Sequence, residues 1–121
     1  MGLDAVEIVL RTEELFVISI GDSEAATVRT VGDFYKLICA KLSLFPLQSP
    51  VTSAKLPMIT QQEKKFLFAY KNTPLPAPPE VLPWSSQSVW DSLVAVFVDQ
   101  QCLDPKEILY DARIAQDLGI D

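Results

Sequence analysis

Eight of the chain's nine prolines fall between residues 46 and 83, at positions 46, 50, 57, 74, 76, 78, 79 and 83. Proline removes a backbone donor and clashes with the preceding helical turn, so this stretch cannot be one long helix or the interior of a sheet. Residues 43–85 therefore read as a connector. Within it, Thr60-Gln61-Gln62-Glu63 forms a capping box, and Phe66, Leu67, Phe68 and Tyr70 continue it as a short amphipathic helix. Thr73 to Pro83 reads as extended, polyproline-like chain, and Trp84 as the residue that pins the connector.

Both flanks are helical in pattern. Leu3, Val6, Val9 and Leu10 recur at three- and four-residue steps, with Asp4, Glu7, Arg11, Glu13 and Glu14 on much of the remaining surface. That helix is expected to end near Phe16, where the β-branched run to Ile20 and then Gly21-Asp22-Ser23 favour an extended buried loop. A short helix follows at Glu24-Ala25-Ala26. Thr30 is the expected cap of the next, with Asp33 completing a capping box and Phe34, Leu37, Ile38 and Leu42 forming its apolar stripe. Beyond the connector, serines 85, 86 and 88 are candidate caps for a helix to Gln101, whose apolar face is Trp90, Leu93, Val94, Phe97 and Val98. Asp104-Pro105 then starts a short turn.

Composition excludes several classes of function. A net charge of −6 leaves no basic stripe for phosphate backbones, so a basic protein surface is the expected partner and nucleic acid is not. The chain has no histidine and only two cysteines, Cys39 and Cys102, which leaves neither a zinc ligand set nor a nucleophile–histidine dyad; both cysteines read as small core residues. Asp111 and Asp117 are the only paired carboxylates suggested for acid–base work, and nothing in the sequence gives them a pocket or a partner base. No apolar run approaches the ~20 residues that cross a bilayer, and Met1-Gly2-Leu3-Asp4 lacks the regions of a signal peptide, so a cytoplasmic location and no membrane partner are expected.

Val98 to Ile108, then Asp111-Ala112 and Asp117-Leu118-Gly119-Ile120-Asp121, resemble the first helix and long loop of acyl carrier proteins, which end in Asp-Leu-Gly-x-Asp before the modified serine. Leu3 to Phe16 and Thr30-Val31-Gly32-Asp33 are similar to the family's second helix and to the start of its last helix. The two halves stand in reverse order. Residues 3–42 and 86–121, about two thirds of the chain, carry the resemblance. It implies an all-α, acyl-carrier-protein-like four-helix bundle, circularly permuted, with the Pro-rich connector carrying a short extra helix. Residues 1–121 would then be a single domain assembled from 3–42 and 86–121. The connector stretches to roughly 140 Å when extended, against a radius of gyration of about 11 Å for a domain of that size. Reach allows a permuted monomer or a domain-swapped dimer.

The resemblance places the phosphopantetheine-bearing serine at Gly2, between Asp121 and Leu3, or in a second register at Ala5. Neither residue has a hydroxyl, so no 4'-phosphopantetheine and no enzyme activity are expected. What the resemblance leaves is docking: Asp4, Glu7, Glu13 and Glu14 would face the basic surface of a carrier-dependent enzyme or other partner. Two alternatives stand beside this one. The chain is a fragment or permutant of a working, tandem acyl carrier protein of fatty acid or polyketide type biosynthesis, or it is a structural adaptor acting through its Pro-rich connector.

Overall fold

The computed structural model describes residues 3–53, 56 and 83–120. Among these the chain is helical and has no strand: α1 (Leu3–Phe16), α2 (Asp22–Ala25), α3 (Val31–Lys41), α4 (Ser86–Gln101) and a 3-10 turn at Pro105–Glu107. The helix expected at residues 60–70, the extended chain at 73–82, and both chain ends lie outside the described residues.

Local chemistry sets the helix boundaries. Thr30 Oγ1 accepts the Asp33 N–H at 3.1 Å while Asp33 Oδ2 accepts the Thr30 N–H at 3.2 Å, a reciprocal box that satisfies orphan donors at the start of α3. Ser85 and Ser88 do the same for α4, with Ser88 Oγ standing in for the usual carboxylate. At the other ends, α1 and α3 stop in the same way. Val17 (φ 55°) and Ser43 (φ 59°) turn left-handed, and the Ile18 and Leu44 N–H groups reach back to the Glu13 and Cys39 carbonyls at 3.1 and 2.8 Å. This is the Schellman pattern without its customary glycine. Cys102 (φ 54°) ends α4 in a left-handed conformation, which exposes it; the expected burial holds for Cys39 only.

The core is organised around α4, where every residue from Val89 to Phe97 is buried. A one-sided face through Trp90, Leu93, Val94 and Phe97 therefore understates it, because α1, α3 and the 3-10 turn all pack against α4. Trp90 meets Tyr35 edge-on at 5.3 Å between ring centroids and Phe97 meets Phe34 at 6.4 Å, geometries that suit aromatic quadrupoles. Trp84 lies 4.5 Å from Phe16, pinning the end of the connector as expected. The first part of the connector straps onto the same region. Trp90 Nε1 donates to Thr52 Oγ1, Ser53 donates twice to Asp91, and the Leu47 N–H reaches the Tyr35 hydroxyl. The Tyr35 hydroxyl in turn donates to the Ser86 carbonyl, and burial pushes its pKa up to about 12.

α1 is rotated relative to the face expected from its sequence. Ile8, Arg11, Thr12, Leu15 and Phe16 are buried, whereas Val6 (39% exposed) and Leu10 (40%) look outward. The loop after α1 is likewise buried only in part: Ile20 is inside, but Val17 projects into solvent because its left-handed backbone turns it away.

Gly32 is where the C-terminal loop closes on α3. Its N–H donates to the Tyr110 carbonyl at 2.8 Å, and a Cβ there would lie 2.8 Å from both the Tyr110 ring and that same carbonyl oxygen. The ring packs against Tyr35 and Trp90, and the backbone oxygen is held by the hydrogen bond. Gly32→Ala is expected to destabilise the fold by roughly 2–4 kcal/mol, measured as a lowered urea midpoint with an unchanged m-value.

Candidate functional site

Two regions gather the residues of interest: the acidic side of α1, and a cleft where the two ends of the described chain converge.

On α1, only Asp4 of the four acidic candidates is fully exposed. Glu7 Oε2 accepts from Gln100 Nε2 at 2.9 Å, and Glu13 Oε2 accepts from the Ile20 N–H at 2.9 Å, so both side chains serve the fold. Arg11, expected on the polar face, is 3% exposed and donates from Nη1 to Asp99 Oδ2 and Gln100 Oε1, each at 2.9 Å. Its spacing carried a signal. Residues 8, 11 and 15 fall on one helical stripe, and a guanidinium on that stripe is buried once Asp99 meets it from α4.

Glu14 is half-buried, and its Oε2 has no hydrogen-bond partner among the described residues. Desolvation raises its pKa above the ordinary carboxylate value; Arg11 pulls the other way and Glu13 adds to the rise.

The cleft has a volume of about 560 Å³ and lies between the N-terminal half of α1, α2, the start of α3 and the C-terminal loop. Its buried floor includes Ile8, Ala25, Phe34, Phe97 and Ile120, and its exposed rim includes Arg29, Arg113 and Gln116. The loop is held in place by backbone bonds: Val31 N–H to Ala112 O at 3.0 Å, Gly32 N–H to Tyr110 O, and Ile114 N–H to Arg29 O at 2.9 Å. Thr30 and Arg113 form an isolated antiparallel bridge, which sets Arg29 and Arg113 at one edge of the opening. Arg113 is committed: its Nε and Nη2 hold the two Asp117 carboxylate oxygens at 3.2 and 3.0 Å. That contact lowers the Asp117 pKa and raises that of Arg113, so Asp117 pairs with a cation and not with Asp111.

Gly2 and Asp121 lie outside the described residues. Leu3 begins α1, and Ala5 lines the cleft, half-buried and without a hydroxyl. Neither Gly2 nor Ala5, the two positions onto which the resemblance maps the modified serine, carries a hydroxyl. Sequence reasoning missed Arg29, which stands immediately before the Thr30 cap. Among the described residues no group of three or more His, Cys, Asp or Glu is placed to hold a metal ion.

Two outcomes follow. Removing one partner of a buried ion pair strands the other, so Arg11→Met should cost about 3–5 kcal/mol; adding Asp99→Leu should recover most of that, read by urea denaturation of the full double-mutant cycle. For Glu14 the native pKa is the higher one, so the folded state holds more protons just above pH 4.5, and stability falls as pH rises through that window. Glu14→Gln should accordingly raise Tm at pH 7 and leave it unchanged at pH 3.5.

Comparison with known proteins found no matching protein family, no matching curated protein and no matching solved structure.

Proposed function

We propose that this chain is an acyl-carrier-like four-helix module in permuted order, without a prosthetic group, that binds partner proteins through the outward side of α1. The observation that carries the reading is the seam between Arg29 to Gly32 and Tyr110 to Ile114, where three backbone hydrogen bonds, two of them from the Thr30-Val31-Gly32-Asp33 motif, join segments from opposite ends of the chain. A fourth helix, α4, packs on α1 and α3 as the family's first helix would.

The docking surface narrows to what α1 leaves outside. Asp4 sits in the first turn, Val6 and Leu10 are exposed further along α1, and Glu7 and Glu14 are half-buried. A basic patch with an apolar centre complements it, and the net charge of −6 steers such a partner in at long range. No helix among the described residues is long and apolar enough to cross a membrane.

The test uses the full chain with an immobilised carrier-dependent synthase that has a basic docking face. Asp4→Lys combined with Leu10→Lys should weaken binding at least tenfold, about 1.4 kcal/mol, and binding should fall with added salt. Deleting residues 57–82 should leave it unchanged. Loss on deletion with indifference to the α1 changes selects the connector adaptor instead, and a phosphopantetheine mass gain after transferase treatment, on any serine, selects a working carrier.

A further inference from the structure

The first part of the connector turns its backbone inward and leaves apolar side chains outside. The Phe45 carbonyl accepts from Ser86 Oγ, the Leu47 N–H donates to the Tyr35 hydroxyl at 3.1 Å, and the Val51 carbonyl accepts from Gln87 Nε2 at 2.9 Å. Yet Phe45 is 93% exposed, Val51 is 76% exposed, and Leu47 is open to solvent as well. Exposed apolar residues are ordinary when scattered singly. Here they stand on one backbone pinned around the first turn of α4, which makes them a fixed apolar ridge.

The ridge selects for a tethered occupant. Residues 44–51 carry no charge and α4 has no acidic residue in its first turn, so recognition there rests on apolar area alone. Such a surface gives an outside partner neither steering nor register, and a tether supplies both. Ser53 is fixed to Asp91 by two hydrogen bonds and Ser85 caps α4. The chain therefore leaves and returns within two turns of one helix, about 9 Å apart along its axis.

Between those points residues 57–82 have a contour length of roughly 85 Å. Midway along them stand Phe66, Leu67 and Tyr70, at helical spacing, and the only charges from 64 to 71 are Lys64, Lys65 and Lys71. An uncharged ridge repels none of these lysines, whose heads can stay in water while their stems lie along apolar surface. At the millimolar effective concentration of a short tether, a contact with a dissociation constant of about 1 mM is already half-populated.

We propose that residues 66–70 dock on the ridge of Phe45, Leu47 and Val51 in the same chain. The connector then occupies its own binding surface and withholds Phe66, Leu67 and Tyr70 from outside partners. This contact is separate from the outward side of α1 and stands whether or not that side binds a partner.

Trypsin reads the contact at Lys64, Lys65 and Lys71. Cleavage there in the full chain should be at least about tenfold slower than in a free peptide of residues 57–82, because only the undocked fraction is cut. Phe45→Ser combined with Val51→Ser should restore the peptide's rate, with circular dichroism showing unchanged helix content. Should that variant fail to fold, Phe66→Ser combined with Tyr70→Ser is read at Lys64 and Lys65 in its place, with the same outcome expected. Cleavage of the full chain as fast as the peptide overturns the proposal. So does protection that survives the ridge substitutions in a folded chain. Protection that grows with protein concentration, alongside a dimer in sedimentation, gives the ridge to a second copy and overturns it too.

Discussion

Burial of α4 on all its sides is the constraint on which everything else depends. A helix with one apolar stripe needs one neighbour; a helix buried without interruption from Val89 to Phe97 has to be surrounded. The surrounding pieces come from the far end of the sequence: α1 and α3 on two sides, with Tyr110 and Ile108 closing from the loop that follows α4 itself. Even the polar residues in the run conform. Asp91 is inside because Ser53 and Gln87 supply three hydrogen bonds to its two oxygens, without which burying a carboxylate would be strongly unfavourable. The connector is thus partly structural: its first eleven residues cover the N-terminal half of α4 before the chain continues.

The arrangement concentrates aromatic contacts at one point. Tyr35, Trp90 and Tyr110 come from α3, α4 and the C-terminal loop, and all three ring pairs fall within 6.4 Å of one another. Each ring fixes the approach of a different element, so α3 is registered against α4 and against the loop at the same time. The Tyr35 hydroxyl adds a fourth element by bridging Ser86 to Leu47. Close approach at Gly32 is the consequence: any side chain there would push the loop away from the ring cluster it completes.

What was legible in the sequence was local. Caps are short-range hydrogen-bonding chemistry, and Thr30 with Asp33, Ser85 with Ser88, and Asp104 before Pro105 all stand where the residue types place them. The ends of α1 and α4 were legible too. What the pattern did not carry was rotation about the helix axis and pairing across the chain. Val6 and Leu10 are as apolar as Ile8 and Leu15, and only the position of α4 decides which pair goes inside. Arg11 was assigned outward on residue type alone, because the partner that permits its burial, Asp99, lies on the other side of the connector. The cleft was illegible for the same reason: its walls come from five separate segments, and Arg29 becomes notable only once Arg113 is beside it and already paired.

Magnitudes also say what kind of space the cleft is. A sealed, dry cavity costs on the order of 24 cal/mol per Å³, so about 560 Å³ would cost roughly 13 kcal/mol, as much as the entire net stability of a typical domain at ~5–15 kcal/mol. A chain of this size does not sustain such a void. The exposed rim at Arg29, Arg113 and Gln116 resolves the difficulty, because water enters and the cost becomes that of wetting apolar walls. Wetted walls are themselves unfavourable at roughly 25 cal/mol per Å², and the fold has no described side chain that reaches in to cover them: Ala5, Ala25, Ala26 and Ala115 line the space where longer residues would fill it. Small residues at four lining positions keep the cleft open at the expense of packing, while the same chain packs α4 without interruption a few ångströms away. An architecture that closes one region completely and leaves the next one hollow has its hollow set by side-chain size, and the free energy of covering those walls is left to whatever enters.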